Sequence, residues 1–145
     1  MGSLSSNAII QIGIVVKDIE RTAQYYCKIF DLEMPNIRNC APNVEYKGQS
    51  VTPKARLCSL KMGTVSLELV QPDETDTSWK QFMQEHGQGV HHLGIIVDDR
   101  EQTMDVLAES GIFPRQFGQM KSGNYTFVES EEQLGVLLNI KYSEK

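Results

Sequence analysis

The sequence predicts an α+β chain in which two copies of one module share a single sheet. Three observations carry this: an internal repeat, β-branched apolar runs that give way to helical spacing, and a length with room for one core. Residues 11–22 laid over 92–103, an offset of 81, match at six of twelve positions: Gly13 with Gly94, Ile14 with Ile95, Val16 with Val97, Asp18 with Asp99, Glu20 with Glu101 and Thr22 with Thr103. The 145 residues, 40% hydrophobic and 23% charged, have an ordinary globular composition and the size of one domain.

Each element has a local reason. Residues 10–16 are an apolar run rich in β-branched residues and read as a strand buried on at least one face. Asp18 can cap the helix that follows, since its short side chain reaches the unpaired amides of the first turn, and Glu20 suits the positive helix end. Ile19, Ala23, Tyr26, Cys27 and Phe30 then recur at helical spacing. Residues 55–60 and 65–70 read as strands about a turn at Met62 and Gly63. A polar stretch, 71–76, leads to a short helix over 77–85 that carries Trp79, Phe82 and Met83 and stops before Gly87. The second copy repeats the order: a strand, a helix capped by Asp99 and ended by Gly111, then strands at 124–129 and 136–142. The expected organisation is a flexible tail over 1–7 and one domain over 8–142, divided into repeat one (8–73), a connector (74–88) and repeat two (89–142).

Alternation along the strands assigns faces. Ile10, Ile12, Ile14 and Val16 form the floor for the first helix, so Gln11, Gly13 and Val15 point the other way. Equivalent reasoning puts His92, Gly94 and Ile96 opposite Leu93, Ile95 and Val97, and sends His91 to the helix side as a buried, hydrogen-bonded histidine. Glu68 lies between Leu67 and Leu69, and Asn139 between Leu138 and Ile140. If the repeats pair about a pseudo-twofold axis, Gln11, Glu68, His92 and Asn139 converge on the non-helix face. Two oxygen donors, a carboxylate and an imidazole suit a divalent cation with open coordination positions. Ordinary polar residues on a wet sheet face are the competing explanation, and spacing alone leaves both open.

Several classes of function are disfavoured. A formal charge of -5 argues against nucleic-acid or anionic-membrane binding, and no apolar run reaches membrane-spanning length. Cys27, Cys40 and Cys58 are odd in number and lack CxxC spacing, which favours a reducing compartment and, without a signal-peptide pattern at the start, a cytoplasmic location. Cys58 reads as core rather than nucleophile, and His86 as a helix-end residue. The charge is uneven: residues 36–62 sum to +4 and the rest of the chain to -9. Lys54 and Arg56 in that segment, with Arg115 and Lys121 in the matching part of repeat two, are candidates for holding a substrate anion; a solvated, aggregation-resistant edge is the alternative.

Residues 9–27, Ser66-Leu-Glu-Leu-Val-Gln-Pro72, Gly89-Val-His-His-Leu-Gly-Ile-Ile-Val97 and 127–140 together resemble the vicinal oxygen chelate superfamily (glyoxalase, bleomycin resistance, dioxygenase), and most of all methylmalonyl-CoA epimerase and glyoxalase I, the lactoylglutathione lyase. The resemblance implies tandem βαβββ repeats forming one cupped eight-stranded mixed sheet with helices outside. It also implies one divalent metal ion (Co, Ni, Zn, Mn or Mg) held by one residue from each of four strands: Gln11, Glu68, His92 and Asn139. Gln11 stands where epimerases have His and resembles the animal type of glyoxalase I. Asn139 departs from the family Glu, which is both ligand and base; an amide offers neither charge nor basicity. Glu68 is therefore the expected catalytic base, and only one side keeps a carboxylate unless Glu129 or Glu45 supplies another from a loop.

The expected activity is that of a metal-dependent isomerase, epimerase or lyase acting on a small anionic carbonyl compound or thioester, and the expected assembly is a homodimer. The alternative is a non-catalytic small-molecule binder of the bleomycin-resistance type with a degenerate metal site. A ring-cleaving dioxygenase ranks last, because Gln11 removes one of the two histidines that chemistry uses.

Overall fold

The computed structural model describes Gly2, Leu4 and residues 6–143; Met1, Ser3 and Ser5 of the expected tail lie outside the described residues. Repeat one contributes β1 (Gln11–Val15), α1 (Ile19–Phe30), β2 (Arg38–Asn39), β3 (Val44–Tyr46), β4 (Gln49–Val51), β5 (Arg56–Met62) and β6 (Val65–Gln71). The connector helix α2 (Ser78–His86) follows. Repeat two supplies β7 (Gly89–Val97), α3 (Arg100–Glu109), β8 (Pro114–Met120), β9 (Gly123–Val128), α4 (Glu131–Leu134) and β10 (Leu137–Ser143).

Among the described residues the strands form one curled mixed sheet in the order β2-β5-β6-β1-β7-β10-β9-β8-β3-β4. β1 runs parallel to β6, β7 runs parallel to β10, and the two halves join by antiparallel pairing of β1 with β7. That join is the pseudo-twofold expected from the repeat. Both capping aspartates act as expected: Asp18 accepts from the Arg21 amide at 3.0 Å and Asp99 from the Gln102 amide at 3.1 Å. α1 buries Ile19, Ala23 and Cys27 against Leu67, Leu69, Cys58 and Leu60, while α3 covers Ile95, Val97, Leu138 and Ile140. Leu4, within the stretch read as a tail, packs against this second cluster.

The third cluster fills the concave side, where Trp79 from α2 meets Val15, Val70, Leu57, Tyr125 and Phe127. The connector helix is thus a plug in the cup. No helix among the described residues is long and apolar enough to cross a membrane. Cys27, Cys40 and Cys58 are free and buried, and burial pushes the Cys58 thiol up to about 11, as suits a core residue rather than a nucleophile.

Among the described residues ten strands rather than eight are present. The additional pair is the hairpin β3–β4, which leaves repeat one and pairs through β3 with β8 of repeat two. The Cys40 amide still bonds the Ala55 carbonyl beside β5, whereas the Asn43 carbonyl already accepts from Gln119 of β8. Three residue steps span at most about 11 Å. The two edges of the sheet therefore curl toward each other, and residues 40–43 strap them together.

Removing either helix cap tests the local reading. Asp18→Ala and Asp99→Ala should each lower unfolding stability by about 1 kcal/mol, read as an earlier urea midpoint with unchanged slope.

Candidate functional site

Four strands deliver one polar side chain each to the floor of the cup. Gln11 Oε1 lies 2.9 Å from His92 Nε2, and the Gln11 amide nitrogen donates to Glu68 Oε2 at 3.4 Å. Glu68 Oε1 is 3.6 Å from His92 Nε2, and Asn139 Nδ2 donates to Gln11 Oε1 at 3.4 Å. All four are buried, His92 completely. The four residues singled out from alternation are therefore joined in one cluster, with Asn139 linked to it through Gln11.

Glycine makes this closeness possible. Register places Gly13 opposite His92 and Gly94 opposite Gln11. A Cβ at Gly13 would lie 2.0 Å from His92 Cε1, and one at Gly94 would lie 2.8 Å from the Gln11 Cβ. The repeated glycine thus serves the same purpose in each copy, leaving room for the long polar side chain of the other.

His91 does not face the helix layer. The β1–β7 register shifts after Gly13, whose partner is His92, to Ile14, whose partner is Val90, and His91 is the residue left over. Such a bulge re-aims a side chain that strict alternation would send outward. His91 is turned under α2, with Nδ1 2.8 Å from His92 Nδ1 and Nε2 2.9 Å from Ser78 Oγ. It packs edge-on against Phe82 and Phe127. It is buried and hydrogen-bonded as expected, but on the site's side of the sheet.

Burial sets the protonation states. It raises the Glu68 carboxyl above the ordinary carboxylate range, with Lys141 and Arg38 opposing. It holds His92 well below the usual imidazole value, helped by His91 and Lys141, and it holds His91 at about 3, helped by Arg115.

A cavity of about 290 Å³ lies over the floor, with Glu68, Asn139, Trp79, Tyr125 and Phe127 in its wall. Two buried polar atoms on these residues, Trp79 Nε1 and Asn139 Oδ1, have no protein partner among the described residues. Arg38, Lys121 and Lys141 also line it, so three cations face a single carboxylate there. Of the four basic residues proposed to hold an anion, Lys121 is in this wall. Arg56 instead pairs with Glu20 of α1 at 2.8 Å, and Arg115 pairs with Glu131 at 2.8 Å and Glu129 at 3.3 Å. Lys54 is exposed beside Asp73, which its main-chain amide bonds at 3.0 Å. Arg38 and Lys141 take the places of these three. Lys141 was findable, because it follows Asn139 by two residues and alternation gives both the same face. Glu45 is exposed on the strap hairpin and Glu129 is committed to Arg115, so neither adds a second carboxylate to the cavity wall.

Among the described residues no three His, Cys, Asp or Glu side chains group at metal-ligating distance. Here Glu68 and His92 are the two of those types, and two amides complete the set. Cis donors around a six-coordinate ion with bonds of roughly 2.1 Å are about 3.0 Å apart. The separations of 2.9 and 3.6 Å about His92 Nε2 are near that figure, and turning the Asn139 amide over would aim its orphaned oxygen at the same point. The donor geometry fits a divalent cation, with one formal charge to hold it.

Comparisons with known proteins agree with this architecture. Residues 10–127 match the glyoxalase/bleomycin resistance protein/dioxygenase superfamily. The uncharacterized protein YqjC of Bacillus subtilis (strain 168) is 25% identical over 139 residues, covering 92% of this chain and 91% of that one. The solved structure of the hypothetical protein BH1468 from Bacillus halodurans C-125 superposes with a TM-score of 0.67 at 21% identity, covering 97% of both chains. A variant of Streptomyces coelicolor methylmalonyl-CoA epimerase, in complex with 2-nitronate-propionyl-CoA, superposes at 0.63 with 21% identity, covering 97% of this chain and 96% of that one. With the match spanning most of the chain and the fold shared end to end, this protein belongs to the glyoxalase/bleomycin resistance protein/dioxygenase superfamily.

Proposed function

We propose that the cup is the active site of a metal-dependent isomerase or lyase that removes a proton next to the carbonyl of a small anionic carbonyl compound or thioester. The observation that carries this reading is Glu68: it is the single carboxylate in the cavity wall, and it faces three cations. Burial raises its proton affinity, and a carboxylate that binds protons more tightly is a stronger general base near neutral pH. Gln11, Glu68, His92 and Asn139 would hold the cation. When bound, it would polarise the substrate carbonyl and so acidify the neighbouring carbon.

The protein's own groups do the rest. Arg38, Lys121 and Lys141 orient the anionic end of the substrate, and Trp79 Nε1 offers a donor that the protein leaves unused. Phe127, Tyr125 and Leu57 exclude water from the reacting carbon. Asn139 occupies the position across the pseudo-twofold from Glu68, so proton transfer is confined to one face of the carbon. That favours a one-base isomerase or lyase over a two-base epimerase. The acyl-CoA in the neighbouring epimerase structure makes a thioester a natural first substrate to try.

A second reading has one observation in its favour. The four floor residues are already linked to one another by hydrogen bonds through Gln11, so the cup is also suited to bind a small anion without chemistry.

Solvent deuterium entering methylmalonyl-CoA, or the hemithioacetal of methylglyoxal, on addition of Co, Ni, Zn, Mn or Mg separates the two. Exchange is expected, and Glu68→Gln should slow it by about 10²–10⁴-fold; metal binding and exchange both absent with all five ions sinks the enzyme reading. Lys121→Ala and Lys141→Ala should each raise KM by roughly tenfold, the equivalent of about 1.4 kcal/mol, whereas Arg56→Ala leaves it unchanged. Asn139→Glu adds a carboxylate to the cation set and should tighten metal binding in calorimetry; unchanged affinity would mean that position 139 does not contribute.

A further inference from the structure

Hydrogen-bond direction can be traced outward from Gln11. Its Oε1 only accepts, and it takes a bond from Asn139 while its Nε2 donates to Glu68. His92 Nε2, 2.9 Å from that oxygen, must then carry its proton. In a neutral ring this leaves His92 Nδ1 as an acceptor, so His91 Nδ1, 2.8 Å away, must donate. His91 Nε2 is then an acceptor in turn, and the Ser78 hydroxyl at 2.9 Å donates to it. Both imidazoles are wholly inside the protein, and neither has a carboxylate against its Nδ1.

We propose that Ser78 and His91 are positioning residues that form a tautomer relay, deciding which ring nitrogen of His92 carries the proton. The donor order from Ser78 to Gln11 points the Nε2 proton into the site, which suits the hydrogen-bonded floor and forbids a cation there. Presenting the Nε2 lone pair requires every link to reverse. The His92 Nε2 proton leaves to water in the cup, the His91 Nδ1 proton crosses to His92 Nδ1, and one proton arrives at His91 Nε2. The pair holds two protons before and after, so its own charge is unchanged, while one proton is taken up at the Ser78 end and one is released at the cup end. Ser78 suits the far end because a hydroxyl donates in one state and accepts in the other. The arriving proton has its own route, since Ser78 and His91 line a second cavity of about 210 Å³ between α2 and the start of β10, separate from the cup. Outer partners of this kind fix the tautomer of a ligating histidine.

Only the switching half of this inference rests on the cation reading, and the experiment keeps the two apart. Two-bond proton–nitrogen spectra of the histidine rings in the metal-free protein should show His92 protonated at Nε2 and His91 at Nδ1. His92 protonated at Nδ1, or either ring as the cation, overturns the relay. On adding zinc both rings should exchange tautomer together; His92 losing its Nε2 proton while His91 keeps its Nδ1 proton overturns it as well. Ring signals indifferent to zinc count against the cation reading, and the metal-free spectrum still decides how Ser78 and His91 hold His92. His91→Phe keeps a ring against Phe82 and Phe127 but removes both nitrogens, and should weaken zinc binding by about 10–100-fold. His91→Asn restores an acceptor near the Nδ1 position and should recover part of the loss. Equal losses in the two variants would mark His91 as packing only.

Discussion

The antiparallel contact between β1 and β7 is the constraint on which the rest of the molecule depends. It joins the two halves of the sheet, sets the pseudo-twofold, and places each repeat's long polar residue across from the other repeat's glycine. Ordinary carbon contacts begin near 3.5 Å. With any side chain at position 13 the His92 ring would meet it at 2.0 Å, so the cluster exists only because that position is empty. Glycine inside a strand costs roughly 0.5–1 kcal/mol relative to alanine. The chain bears that cost at the same place in both repeats, which is how a functional requirement shows itself in a strand.

Around this join the sheet solves a second problem, that of its edges. An open sheet of this curvature would leave β8 unpaired and the cup wide. The hairpin sent across by repeat one covers β8, and the strap at residues 40–43 draws the mouth down to a cavity of about 290 Å³. Arg38, in β2 just before the strap and paired with β5, lines the cavity together with Lys121 and Lys141 from the other half. The basic rim also explains how a chain of net charge -5 can present a positive site: Glu68 is outnumbered there, and other acids are committed to Arg56 and Arg115.

Local physics made much of this legible. The repeat, the capping aspartates, the helical faces and the alternation that gathers Gln11, Glu68, His92 and Asn139 are all short-range properties. Where inference failed, a long-range event intervened. His91 breaks alternation because β7 carries one residue more than β1 can pair, and a bulge is decided by two strands rather than one. Arg56 and Arg115 lie in basic segments, yet each has a carboxylate nearer than the cup: Glu20 from α1 in one case, Glu129 and Glu131 in the other. Sequence proximity to a site is no guide when the competing partner comes from a different element.

The sequence by itself determined the module, its duplication, the faces of the central strands and the residues that meet at the floor, because periodicity and capping act over a few residues. Only the tertiary structure decided which cations line the cup, that β3 pairs with β8, and that His91 backs His92 with Ser78 behind it. Each of those depends on surfaces brought together from tens of residues apart, and the energy that selects among them, burial against pairing, is defined only once the sheet has closed.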